Sequence, residues 1–207
     1  MKPSRGTRYF ALAGLLLTVL LSSCAGPRRL SSMTGAPLAD HPRIALLPLE
    51  NLSGAADAGD AMTRLLGTEL TSRGWCELID IGQVQAIMRR LRVRNSAALS
   101  IEQLHTLADS LSVRFVLAGS VLEHKATNTD EGTIPAAAMT LKLLDSSSGR
   151  VVWAKALAVT GKDRETLFGY GRENDPLQLD ARLVDEMLND FGRLASASPA
   201  KGTEGKK

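Results

Sequence analysis

The stretch Met139-Thr140-Leu141-Lys142-Leu143-Leu144-Asp145-Ser146-Ser147-Ser148-Gly149-Arg150-Val151-Val152-Trp153 decides the fold class. Met139, Leu141 and Leu143 alternate with Thr140 and Lys142, the period of a strand with one face packed inward. Asp145 to Gly149 is turn chemistry, and Val151, Val152 and Trp153 begin a second apolar run, so the whole reads as a β-hairpin. Upstream, Val113 to Leu122 is apolar and partly β-branched. It reads as a strand in which Gly119 allows a close approach or a bulge. Residues 124–136 are polar and contain Gly and Pro, which predicts a loop. Three successive strands at this point argue against a purely parallel, doubly wound sheet.

Further out, Arg43-Ile44-Ala45-Leu46-Leu47-Pro48-Leu49 fits a short buried strand, with Pro48 at an edge, a bulge or the strand end. Asn51 to Gly59 is loop-like. Met62, Leu65, Leu66 and Leu70 give a helical stripe that Gly74 ends, and Trp75 to Ile79 returns to strand character. Two helix starts carry a capping box with an apolar staple: Asp80 with Gln83 between Ile79 and Val84, and Ser100 with Gln103 between Leu99 and Leu104. The helices they open present Val84, Ile87, Met88 and Leu91, then Leu104, Leu107, Ala108 and Leu111. Asp175-Pro176 with Gln178 opens a last helix, whose stripe is Leu183, Val184, Met187, Leu188 and Phe191. The order β-α-β-α-α-β-β-β-α predicts an α/β (α+β) fold, a mixed sheet flanked by helices.

The N-terminus sets the expected location. Lys2, Arg5 and Arg8 precede an apolar run from Phe10 to Leu21, interrupted by Gly14 and Thr18 and followed by Ser22-Ser23-Cys24. The run falls well short of the ~20 residues a spanning helix needs, so it reads as a signal segment. Leu21-Ser22-Ser23-Cys24 is similar to a bacterial lipobox, which implies cleavage after residue 23 and acylation of Cys24. Two or more acyl chains hold a protein firmly at a membrane. Residues 24–41 read as a short flexible tether, 42–196 as one domain and 197–207 as a loose polar tail. The chain has 25 Lys+Arg and 22 Asp+Glu; residues 1–23 hold three of the bases and no acid, which leaves 22 of each. A neutral mature chain carries no nucleic-acid signal.

Candidate chemistry is sparse. His41, His105 and His124 lack metal-ligand spacing, Asp57 and Asp60 suit a loop and helix start, and Ser146 to Ser148 lie in a turn rather than a nucleophile elbow. No catalytic residue, metal ligand or cofactor is assigned; a small-ligand enzyme is the alternative class. If Cys24 is acylated, Cys76 has no mate within the chain and reads as a buried small hydrophobe, with an intermolecular disulfide as the alternative. Gly169-Tyr170-Gly171-Arg172 is either a turn before the last helix or a partner-contact loop built on Tyr170, Arg172 and Glu173, since Tyr and Arg are the residue types of hot spots. Arg89, Arg90, Arg92 and Arg94 form a basic surface cluster, read as a solvated face or a site for an acidic partner.

Several of these pieces together resemble one envelope superfamily. It includes the curli secretion lipoprotein (CsgG-like), the outer-membrane activators of penicillin-binding proteins (LpoB-like) and the N-terminal domain of the Tol system's propeller protein (TolB N-terminal-domain-like). The pieces are Arg43 to Gly54, Glu77-Leu78-Ile79-Asp80, Val116 to Val121, the hairpin from Leu143 to Trp153, and Gly169 to Arg172. The resemblance implies a lipid-anchored, non-catalytic interaction or adaptor protein of envelope assembly or secretion. Its partner is an envelope protein or further copies of itself, and its place is the periplasmic face of the outer membrane; Ala25 lacks the aspartate of inner-membrane retention. The alternatives it implies are a subunit of a CsgG-like secretion assembly and an activator of a penicillin-binding protein. Residues 123–138, the natural site for a pore-forming insertion, are too short and polar for two spanning strands. The activator branch carries a longer tether than residues 24–41.

Overall fold

The computed structural model describes residues 28–34, 38, 41–130, 132–166 and 169–196, with 28–34 and 196 described by backbone alone. In chain order the elements are β1 (Arg28–Thr34), β2 (Arg43–Leu46), β3 (Glu50–Asn51), α1 (Ala58–Arg73), β4 (Glu77–Leu78), α2 (Ile81–Arg90) and α3 (Ile101–Leu111). They continue with β5 (Phe115–Thr129), β6 (Gly132–Asp145), β7 (Arg150–Thr160) and α4 (Pro176–Ser196). The predicted order is present, with β1 and β3 in addition. One mixed sheet runs β1-β7-β6-β5-β2-β4, and β3 also pairs with β5. The pairs β2–β4, β2–β5 and β3–β5 are parallel; β5–β6, β6–β7 and β1–β7 are antiparallel.

The helix starts follow from local chemistry. Gln83 N donates to Asp80 Oδ1 at 3.0 Å. At Ser100 the box is reciprocal: Gln103 N donates to Ser100 Oγ at 3.2 Å and Ser100 N to Gln103 Oε1 at 3.0 Å. Leu177 N donates to Asp175 Oδ1 at 2.9 Å, just ahead of α4. These bonds satisfy end N–H groups that helices leave orphaned.

Strand alternation divides the core into two layers. On one face, Ile44, Leu46, Phe115, Leu117, Met139, Leu141, Trp153 and Leu157 pack under α1 and α4. On the other, Ala45, Leu47, Val116, Ala118 and Leu144 pack under α2 and α3. Each fully buried Leu, Met or Phe contributes roughly 1.5–3 kcal/mol of transfer free energy, so these layers hold the sheet and helices together. The second face is only half covered: Thr140, Lys142, Ala154, Ala156 and Ala158 stay partly exposed. Cys76 is buried, free, and its thiol is pushed up to about 11 by that burial. Asp145 closes the β6–β7 turn. Burial alone would raise its carboxyl, but Arg114 and the Ser147 hydroxyl and N–H hold it below the usual carboxylate range.

Gly119 is a close approach, as its sequence context predicts. A Cβ there would lie 2.1 Å from the Thr140 carbonyl oxygen and 2.8 Å from Leu141 Cδ2. Gly119→Ala should therefore cost about 1–3 kcal/mol through overpacking of the central strand pair. Urea unfolding checks this; an unchanged midpoint would mean that β5 and β6 have slack the geometry denies.

Two expectations need correction. Residues 124–136 are not a loop: β5 runs on to Thr129 and β6 begins at Gly132, paired from Glu123↔Ala138 out to Thr129↔Gly132. Backbone pairing extends the ribbon where side chains give no apolar period. Pro135 is tolerated because its carbonyl faces Gly161 N, 2.8 Å away. Its nitrogen faces the same side, where β7 has ended, so the missing N–H breaks no ladder bond. A bulge lies between Val121 and Glu123. It reverses which face later residues occupy and brings His124 to the α4 side, 3.0 Å from Asp180 Oδ2. The second correction concerns the expected tether, 24–41. Within it, β1 adds to the β7 edge from Arg28↔Ala158 to Thr34↔Trp153. Leu38, 4% exposed, donates its N–H to the Leu194 carbonyl at 3.1 Å. An open strand edge recruits backbone regardless of composition.

Candidate partner-contact surface

The loop from Gly161 to Asp175, between β7 and α4, is fastened from below by one side chain. Arg182 of α4 is buried and donates from Nε to Glu173 Oε2 at 2.8 Å and from Nη2 to the Thr160 carbonyl at 2.8 Å. Its Nη1 lies 3.5 Å from Asp163 Oδ2 and 3.7 Å from Glu186 Oε1. Asp163 in turn accepts from Thr160 N at 2.7 Å and Thr160 Oγ1 at 2.9 Å. Glu173 N donates to the Gly161 carbonyl at 2.8 Å, and Arg164 meets Glu186 at 3.3 Å. Arg172 pairs with Glu165, whose carboxyl that guanidinium holds below the usual range. A guanidinium with several fixed acceptors holds a loop far better than one exposed ion pair does.

Tyr170 sits at the tip. Its carbonyl accepts from Thr166 N at 2.7 Å and from Thr166 Oγ1 at 3.0 Å. Gly169 and Gly171 have φ of 76° and 85°, the left-handed region in which glycine is least strained. At Gly171 a Cβ would also meet the Arg164 carbonyl oxygen at 2.3 Å. The tight backbone leaves the Tyr170 side chain 75% exposed, and Leu177 in the first turn of α4 is 68% exposed. Residues 167 and 168 lie outside the described residues.

The structure thus separates the three residues that sequence reasoning grouped. Tyr170 faces outward, whereas Arg172 and Glu173 turn inward and hold the loop. The sequence gives no signal for Arg182 and Asp163, because partners 9 to 22 residues apart leave no local period. Arg89, Arg90, Arg92 and Arg94 are all exposed, around the C-terminal end of α2. Cys24 lies outside the described residues, as does the polar tail from 197. His105 is in α3 and His124 in β5, and among the described residues no group of three His, Cys, Asp or Glu side chains is placed to hold a metal. No helix among the described residues is long and apolar enough to cross a membrane.

Residues 30–159 match the family model of the peptidoglycan-synthase activator LpoB, well over half of the chain. The chain belongs to the LpoB family. That family is one of activators, in keeping with a role other than catalysis. The match begins at residue 30, inside β1. None of the curated proteins matches. Among solved structures, this LpoB-family chain is similar to a PelC dodecamer from Paraburkholderia phytofirmans: 21% identity, TM-score 0.58, covering 82% of this chain and 99% of that one. It is also similar to lipoprotein GNA1162 from Neisseria meningitidis: 17% identity, TM-score 0.54, covering 73% and 99%. The hypothetical protein CT253 from Chlamydia trachomatis is a third, at 17% identity and TM-score 0.51, covering 76% and 99%. At these identities the likeness is one of fold. The mixed sheet flanked by helices has the element order that the resemblance to the CsgG, LpoB and TolB N-terminal-domain superfamily implied.

Proposed function

We propose that this LpoB-family chain is a lipid-anchored protein of the periplasmic face of the outer membrane, held through Cys24, that acts by contact on a peptidoglycan synthase. The supporting observation is the Tyr170 tip, an exposed aromatic on a loop whose charged neighbours are bonded inward. Binding through a loop that is already ordered loses little conformational entropy. Arg172 and Glu173 act here as positioning residues beneath the contact. Tyr170→Ala should weaken binding to the synthase roughly ten-fold, the size of a hot-spot loss of about 1.4 kcal/mol. Pull-down from envelope extracts and stimulation of glycan polymerisation by the purified synthase read the effect. Unchanged affinity and unchanged stimulation in Tyr170→Ala and in Leu177→Ala would remove the loop from the contact.

A second reading is self-assembly. It is favoured by the likeness to the PelC dodecamer and by the half-covered second face of the sheet. Self-assembly and synthase contact are compatible, since a ring presents its contact loops in several copies. Sedimentation of the purified lipidated chain tests it directly.

A further inference from the structure

Between Asp80 and Glu102 the chain holds four arginines and no acid. Arg89, Arg90, Arg92 and Arg94 are exposed, and their side chains take no partner among the described residues. Arg89 and Arg90 lie in the last turn of α2, where a cation suits the helix dipole. Arg92 has no such local reason. Arg92 N donates to the Arg89 carbonyl at 3.1 Å and Val93 N to the Met88 carbonyl at 3.0 Å, the paired bonds of a Schellman helix end. That motif places Arg92 at φ 55°, where glycine is the favoured residue. A guanidinium kept at a strained backbone position points to a use outside the chain's own stability.

The complementary charge is on the opposite face. From Ile44 to Thr63 the chain carries Glu50, Asp57 and Asp60 and no base; the first base after them, Arg64, is exposed one turn beyond Asp60. Glu50 is occupied by Asn95 and Ser120. Asp57 and Asp60 are exposed and their side chains are unpaired among the described residues. Asp57 stands at the N-cap of α1 with φ 59° and makes no side-chain cap bond. Here too a charged side chain occupies a strained position without serving the helix it precedes. α1 packs on one face of the sheet and α2 on the other, so the two sets flank opposite sides of the domain. Three residues after Arg94, Ala97 lines a hollow of about 300 Å³ together with Thr140, Lys142, Ala154 and Ala156.

We propose that the occupant of the arginine surface is a second copy of this chain, docked head to tail. The Arg89–Arg94 cluster of one protomer meets Asp57 and Asp60 of the next. Opposite charges on opposite faces are what a heterologous, ring-closing contact requires, whereas a two-fold contact would bring like charges together. The proposal rests on the self-assembly reading above.

The test uses the full lipidated chain in neutral detergent, with sedimentation velocity at low and high salt and circular dichroism to confirm folding. Arg92→Glu/Arg94→Glu and Asp57→Lys/Asp60→Lys should each weaken association roughly ten-fold or more, and the chain carrying all four changes should associate again. Arg92→Gly removes both charge and strain. It should raise Tm by a few degrees while weakening association, which a purely structural arginine would not do. Oligomers unaffected by either reversal, or not restored by the combined reversal, overturn this surface and leave self-assembly standing. A chain that sediments as a monomer at every concentration overturns both.

Discussion

Asp190→Ala is expected to lower stability by about 3–5 kcal/mol, the usual cost of leaving a buried charge without its partner. Lys155 of β7 is 3% exposed and faces α4 among apolar neighbours. Its Nζ lies 3.0 Å from Asp190 Oδ2 and donates to the Glu186 carbonyl. Removing the carboxylate leaves an ammonium that cannot reach water without moving α4. Lys155→Met/Asp190→Leu should recover most of the loss, because replacing both members of a buried pair by apolar groups is often neutral or stabilising. Equilibrium unfolding in urea measures both. A loss below about 1 kcal/mol for Asp190→Ala would mean that Lys155 finds solvent when its partner is gone.

Phe191→Ala should cost a similar amount, about 3–5 kcal/mol for a fully buried aromatic with a cavity left behind. Phe191 meets Trp153 edge to face, with ring centroids 5.4 Å apart and planes at 78°. Both rings are 0% exposed, and they couple α4 to β7 at the centre of the larger core. The Trp153 indole N–H has no partner among the described residues, so packing alone holds that ring. Phe191→Leu should retain more than half of the lost stability. Equal losses for Ala and Leu would show that the aromatic edge contact, rather than volume, is what matters here.

The elements that were legible in the sequence are those whose signals are local. Ser100 and Gln103 sit three residues apart and form the reciprocal cap their spacing predicts. Met139, Leu141 and Leu143 alternate because one face of β6 is buried, and all three are in the larger core. Gly119 was readable because a residue without a side chain inside a β-branched run has few other uses. The ribbon beyond Leu122 was not legible. Its residues pair through backbone groups, which every residue except proline possesses, so composition showed only polarity.

The loop from Gly161 to Asp175 was half legible for a related reason. Glycines on both sides of Tyr170 announce a turn, and in the structure Tyr170 is exposed at its tip. The same four residues say nothing about Arg172, whose acceptor Glu165 lies across the loop. The basic cluster was visible as charge, but the left-handed backbone at Arg92 was not.

By itself, then, the chain's order of residues determined the helix caps, the alternating strands, the fold class and a lipobox-like start. Each depends on neighbours within about four positions, where chemistry acts through fixed backbone geometry. Only the folded sheet decided that residues 28–34 close its edge. It alone set Arg182 beneath the loop from Gly161 to Asp175, Lys155 against Asp190, and Asp57 and Asp60 on the face opposite Arg89 and Arg90. Those pairings join residues whose separation along the chain carries no period, so their energies exist only once the layers have packed.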